Sequence, residues 1–190
     1  MRIAVCLSGL PRHTKTTVSS LSKYLPYDLY VHQWKGNLYP KAKRFLKEEC
    51  LFDNNRQNMY YSIQQAHNLI EGKYDVVVRV RQDTLFSESI PQDELDDVVK
   101  NKNVIYVHGR HDIPDRAPEL PKINFKTHAG VPYIPDQFAF GSQEAMKKYA
   151  NTFLHTYSDD TCGEIVLGRS LTTADIEIKW SKINLIVSTG

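Results

Sequence analysis

The stretch Val76-Val77-Val78-Arg79-Val80-Arg81-Gln82-Asp83 starts as a buried strand and ends in charge. Side chains alternate across a strand, so Val76, Val78 and Val80 face one way, while Val77, Arg79, Arg81 and Asp83 face the other. Arginines buried without a partner are costly, so the second face must meet something anionic. In open α/β sheets, ligands bind beyond the carboxyl ends of the strands. A strand that leaves its sheet as Arg-x-Arg-x-Asp therefore has the composition of a floor for phosphate and metal. The other reading of the same residues is a buried ion-pair network in which Arg79 pairs with a helix carboxylate.

Working outward, residues 3–7 form a short apolar run of strand length, stopped by the turn Ser8-Gly9-Leu10-Pro11-Arg12. A helix is expected over about 14–24 and a second strand over 28–32, ending in His32-Gln33-Trp34-Lys35. Residues 41–51 and 57–71 read as helices; in the second, Met59, Ile63, Ala66 and Ile70 fall on one face, and Gly72 is the expected stop. Beyond the central strand come a helix over 92–100 and a strand over 104–108. A proline-rich loop follows over 109–135, of a length that suits a lid, a binding loop or disorder. A strand at 138–140 leads through Ser142, the expected N-cap, into a helix to about 154. A helix over 161–171 and strands at 176–178 and 185–187 complete the chain. Strands alternating with helices call for an α/β fold with a mostly parallel central sheet.

The 190 residues suit a single domain over 1–190, and whether the natural chain runs on past it stays open. A net charge of +2 lacks the basic excess of a dedicated nucleic-acid binder, so no nucleic-acid partner is expected. No stretch approaches the roughly 20 apolar residues of a membrane span. Cys6, Cys50 and Cys162 show no metal spacing and fall in three different elements, which suggests reduced thiols and a cytoplasmic location. Cys6, inside an apolar strand, reads as a packing residue.

The turn after the first strand is small and carries Arg12, so it suits either a tight structural turn or a loop whose amides approach an anion. It is neither GxGxxG nor a P-loop. Asp83 alone suffices for Mg²⁺ or Mn²⁺ held mainly by nucleotide phosphates. Asp136 stands where the proline-rich loop meets a strand, as a turn aspartate or as a carboxylate beneath the loop. Glu164 lies in the first turn of a helix, where glutamate is common for dipole reasons alone. Trp34 suits base or sugar stacking or an amphipathic surface position. His108, His111, Asp112 and Asp115 suggest a metal site only weakly, given the Gly and Pro around them. Tyr60-Tyr61 and Gln64-Gln65 read as packing and surface residues of their helix.

Taken in order, Val5-Cys-Leu-Ser-Gly-Leu-Pro-Arg12, Leu29-Tyr-Val-His32, Tyr74-Asp-Val-Val-Val-Arg-Val-Arg-Gln-Asp83, Asp136-Gln-Phe-Ala-Phe-Gly-Ser142 and Gly163-Glu164 resemble a GT-A glycosyltransferase. The same series is similar to small viral and bacterial sugar transferases, including a chlorovirus domain that decorates the capsid. The resemblance implies a nucleotide-sugar donor, UDP-linked by default, and a glycan or glycoprotein acceptor. It implies that Ser8, Gly9, Leu10 and Arg12 meet the nucleotide with Arg79 and Arg81, and that Asp83 holds Mn²⁺ or Mg²⁺. It further implies that Asp136, or else Glu164, faces the acceptor as catalytic base. The family's DxD reads here as Arg81-Gln82-Asp83, with only the last aspartate kept. A non-catalytic nucleotide- or glycan-binding domain on the same fold is the main rival, and a nucleotidyltransferase would want more carboxylates.

Overall fold

The computed structural model describes residues 1–35, 41–108, 127–128, 131–132, 134–158 and 163–187. In chain order the elements are β1 (Ile3–Gly9), α1 (Thr14–Leu21), β2 (Asp28–Trp34), β3 (Arg44–Glu48), α2 (Asn55–Asn68), β4 (Val76–Arg81), β5 (Thr84–Phe86) and α3 (Gln92–Lys100). They continue with β6 (Val104–His108), β7 (Thr127–His128), β8 (Val131–Pro132), β9 (Phe138–Gly141), α4 (Gln143–Ala150), a 3₁₀ segment (Asn151–Ser158), α5 (Gly163–Thr173), β10 (Glu177–Trp180) and β11 (Leu185–Val187).

Seven strands form one sheet in the order β10-β6-β9-β4-β1-β2-β3. Every neighbouring pair is parallel except those made by β9, which runs antiparallel to both β4 and β6. The mostly parallel α/β sheet expected from the alternation of strands and helices is therefore present. β4 is central, and both its faces are covered. Val76, Val78 and Val80 lie in one core with Val5, Leu7, Val18 and Leu21 of α1, and Leu95 and Val98 of α3. Val77 lies in the other, with Ala4, Cys6, Ile63 and Ala66 of α2, and Met146 of α4. That is the period-two division read from the sequence.

Several local expectations are corrected. Residues 41–51 are not helical: Arg44–Glu48 extends the sheet as its edge strand, paired in parallel with Tyr30–Trp34. Its helix-forming lysines and glutamates yield to a ladder of backbone hydrogen bonds and to Phe45 packing inward. α2 ends at Asn68, with Leu69 as its C-cap, and Gly72 instead supplies a positive φ of 90° in the turn into β4. α4 stops at Ala150 and tightens into the 3₁₀ segment, short of the expected end near 154. Ser142 does cap α4, its Oγ accepting from Ala145 N at 3.1 Å. Two strands pair unexpectedly, β5 with β11, antiparallel, beneath α1. Cys6 is buried as a packing residue, its thiol pushed up to about 12 by burial, while Cys50 is exposed and free. Cys162 lies outside the described residues.

β9 threads between two strands with no room to spare. A Cβ on Gly141 would stand 2.8 Å from the Val104 carbonyl oxygen and 3.0 Å from Ile105 Cγ1. Gly141→Ala should therefore lower the urea midpoint by an amount equivalent to about 1–3 kcal/mol of overpacking. A second prediction concerns acid. Burial pushes His67 down to about 4 from its ordinary 6.5. The folded chain thus holds that ring neutral while the unfolded chain protonates it, so stability is complete above about 6.5 and falls as pH drops toward 4. The contribution is on the order of 3 kcal/mol. Urea midpoints across this range should decline less steeply in His67→Gln than in the wild type.

Candidate active site

Strand order places a crevice at one point of the sheet. From β1 the chain moves outward through β2 and β3, then β4 returns to the other side of β1. The carboxyl ends of β1 and β4 therefore diverge at a topological switch point, where open α/β sheets bind ligands. Register puts a polar row across the sheet face there: Ser8 of β1 lies level with His32 on β2 and with Arg81 on β4. Gln137, just before β9, extends the row, its carbonyl accepting from Arg81 N at 3.0 Å.

Arg81 organises the acidic side. Its Nε donates to Asp83 Oδ1 at 2.7 Å, and its Nη1 lies 3.5 Å from Asp136 Oδ1. Both carboxylates are buried, while the Arg81 side chain is 26% exposed. The two aspartates singled out from distant parts of the sequence thus converge on one guanidinium. Arg79 is different. It is 2% exposed, and its Nη1 donates to the Gln137 carbonyl at 2.7 Å. Its Nε has no hydrogen-bond partner, and no carboxylate pairs with it among the described residues. The helix carboxylate considered for it is not there. A small cavity of about 10 Å³ beneath the sheet is lined by Arg79, Cys6, His67 and Tyr149, about the space one water requires.

The turn of residues 8–12 is held from two sides. Gly9 has a positive φ of 112°, which a side chain would strain. Its N–H donates to Ser62 Oγ on α2 at 2.9 Å, so that amide is already engaged. Its carbonyl accepts from Gln82 Nε2 at 3.0 Å. Gln82 Nε2 also reaches the His32 carbonyl at 3.4 Å, while its Oε1 accepts from Thr14 and its own carbonyl accepts from Thr17 at 2.9 Å. The middle residue of Arg81-Gln82-Asp83 therefore ties β4 to the β1 turn, the end of β2 and the first turn of α1. Gln82 is absent from the candidates that the sequence puts forward; continuing the alternation past Arg81 sets it on the face of Val76, Val78 and Val80, which is the signal that could have found it. Ser8 is buried with its Oγ unpartnered, whereas Leu10 is 47% exposed and Arg12 is exposed at the mouth of the turn.

Asp136 and Glu164 come together around Tyr60. Tyr60 is buried, its OH donates to the Gly163 carbonyl at 2.6 Å, and Ile134 N donates to the Glu164 carbonyl at 3.2 Å. Desolvation raises the Tyr60 hydroxyl well above its ordinary range, with Tyr149, Asp136 and Glu164 adding to the rise and Arg79 opposing it. The phenol is thus a fixed strut between α2 and the start of α5. Trp34 is neither a surface residue nor a stacking platform for a base: it is buried, its ring stacked on Tyr61 at 5.6 Å. His108 is buried at the end of β6. His111, Asp112 and Asp115, and most of the loop over 109–135, lie outside the described residues.

The donor set decides what cation could be held. Among the described residues no group of three His, Cys, Asp or Glu side chains forms a metal cage. Asp83 and Asp136 each give one oxygen toward Arg81 and keep the other. Such a set fits a hard divalent ion held mainly by ligand phosphates, with one or two protein carboxylates, and fits a protein-only site poorly.

Neither a family model nor a curated protein matches this sequence. Among solved structures it is similar to the galactosyltransferase LgtC, determined in complex with donor and acceptor sugar analogues. The TM-score is 0.58 at 12% identity, and the match covers 94% of this chain and 73% of that one. At that identity the likeness speaks for the fold: the mixed, mostly parallel seven-stranded sheet with flanking helices is of the GT-A type.

Proposed function

We propose that this protein is a glycosyltransferase, moving a sugar from a nucleotide-diphosphate donor, UDP-linked by default, to a glycan or protein-linked sugar. The observation that carries this reading is the meeting of Arg81, Asp83 and Asp136 at the switch point, above a buried Arg79 that no carboxylate among the described residues neutralises. Two guanidinium groups at the end of one central strand suit a diphosphate, which Arg binds more readily than Lys when donors must be planar and fixed. A fold shared with a structure that holds donor and acceptor sugar analogues supports the same assignment.

The chemistry assigns each group a task. The acceptor hydroxyl oxygen attacks the anomeric carbon, the bond from that carbon to the phosphate oxygen breaks, and the nucleoside diphosphate leaves with the electron pair. Arg81 stabilises the charge that grows on the leaving phosphates, and the charge of Arg79, buried beneath it, adds to that field. The Asp136 carboxylate takes the proton of the attacking hydroxyl, with Glu164 the second choice for that role. A Mn²⁺ or Mg²⁺ ion, held by Asp83 and the donor's phosphates, would neutralise further charge on the leaving group. Ser8, Gly9, Leu10 and Arg12 present the β1 turn to the nucleotide, chiefly through the Leu10 backbone and the Arg12 side chain, because the Gly9 amide is engaged.

A second reading, a binding domain that takes a nucleotide or glycan without turnover, is favoured by one feature: both aspartates are already pinned to Arg81. Melting temperature measured against a panel of nucleotide sugars, with and without Mn²⁺, separates the possibilities. A cognate donor at about 100 times its Kd should stabilise the fold by roughly 2.7 kcal/mol. Asp83→Ala should abolish the Mn²⁺-dependent part of that shift, and no shift with any nucleotide sugar would refute the proposal. Asp136→Asn should keep donor binding but lower turnover by about 10²–10⁴-fold, as loss of a general base does. A wild-type protein that binds donor yet releases no nucleoside diphosphate over hours with any acceptor would establish the binding-domain reading instead.

A further inference from the structure

The Gly9 amide is the end of a hydrogen-bonded chain that runs through three elements. Gly9 N–H donates to Ser62 Oγ at 2.9 Å, Ser62 Oγ lies 2.7 Å from His32 Nδ1, and His32 Nε2 lies 2.8 Å from Glu48 Oε2. Ser62 sits on α2, His32 on β2 and Glu48 on the edge strand β3. Ser62 and His32 are fully buried, whereas the Glu48 side chain is 27% exposed.

For a neutral His32 ring, donor and acceptor counting leaves one arrangement. The Glu48 carboxylate can only accept, so Nε2 carries the imidazole proton. Nδ1 of the neutral ring is then an acceptor and takes the Ser62 hydroxyl proton, which leaves a lone pair on Ser62 Oγ for the Gly9 N–H. Burial lowers the His32 pKa, and the opposing pull of Glu48 does not cancel that, so the neutral ring is the favoured form. Around it, the Trp34 and Tyr61 rings stand roughly perpendicular to the imidazole, and Tyr61 OH reaches the second Glu48 oxygen at 3.5 Å.

A serine, a histidine and a carboxylate in line also describe an activated nucleophile. Here that role is closed off, because Ser62 has no exposed surface and its oxygen already receives an amide. The chain ends on backbone, at the turn assigned to the nucleotide. On the opposite side Gln82 holds the Gly9 carbonyl, so both peptide groups of Gly9 are fixed.

We propose that Glu48, His32 and Ser62 are positioning residues, which set the Gly9 peptide and with it the 8–12 turn in the geometry that receives the nucleotide donor. This rests on the donor-binding reading above. The effect on catalysis is indirect: none of the three touches the reacting atoms, and what they control is affinity.

The test uses the full chain, with amide exchange of Gly9 followed by NMR and UDP affinity measured by titration in the presence of Mn²⁺. In Ser62→Ala the Gly9 amide loses its acceptor, and in His32→Gln the Nδ1 acceptor disappears while a donor toward Glu48 is kept. Both variants should exchange Gly9 about tenfold faster and bind UDP about tenfold more weakly, the scale of one lost hydrogen bond. His32→Asn presents an amide oxygen near the Nδ1 position and should restore both. In Ser62→Ala and His32→Gln, turnover at saturating donor should stay near wild type while KM rises. Unchanged Gly9 protection in Ser62→Ala and His32→Gln overturns the proposal, and so does faster exchange with unchanged UDP affinity. If Ser62→Ala fails to fold, the contrast between His32→Gln and His32→Asn decides alone. Wild-type protein that binds neither UDP nor any nucleotide sugar overturns the donor reading and the role built on it, while the exchange data still report whether the chain exists.

Discussion

A central strand covered on both faces has nowhere to put charge except its end, and β4 carries two arginines. Val76, Val78 and Val80 fill one face, and Val77 continues the other, so Arg79 and Arg81 share the face that meets α2 and α4. Removing a guanidinium from water costs several kcal/mol unless donors and charge are matched. Arg81 meets that demand with Asp83 and Asp136, which draws the segment before β9 against the end of β4. Arg79 meets it only in part, through one carbonyl. Both side chains reach the segment before β9, Arg81 at Asp136 and Arg79 at the Gln137 carbonyl.

Around that centre the structure separates holding from binding. Gln82 and Ser62 grip the Gly9 peptide from opposite faces, and Tyr60 braces α2 against the start of α5. These groups are buried and hydrogen-bonded, the condition under which a polar network specifies one geometry. Leu10 and Arg12 are exposed instead, and the Arg81 side chain partly so. Such a division, with a rigid inner layer and a few exposed groups, is what a site needs if its ligand is to find its contacts already arranged.

The far end of the sheet shows the same chemistry away from the switch point. Asp28 there accepts from Tyr74 and from Lys43 at 2.9 Å, and Arg2 lies over the Tyr74 ring at 4.8 Å. These hydrogen bonds hold Asp28 below the usual carboxylate range despite its exposure. They close the amino ends of β1 and β2 where no strand order diverges. Charged clusters thus occur at both ends, and only topology distinguishes the one placed to meet a ligand.

The sequence by itself determined the alternation of strands and helices, the burial of β4, the burial of Cys6 and the cap at Ser142. Each depends on local period or on residue chemistry within a few positions. It also brought forward Arg79, Arg81, Asp83 and Asp136, because charge at the end of an apolar strand is conspicuous. Tertiary structure alone decided that residues 44–48 form an edge strand, since pairing with β2 overrides their helical preference. It alone decided that Trp34 is buried against Tyr61, and that Arg81 stands between two aspartates 53 positions apart. The chain from Glu48 through His32 and Ser62 to Gly9 was equally invisible. Its members come from four elements, and nothing in a linear sequence records which side chains a strand register and a helix packing angle bring within 3 Å of each other.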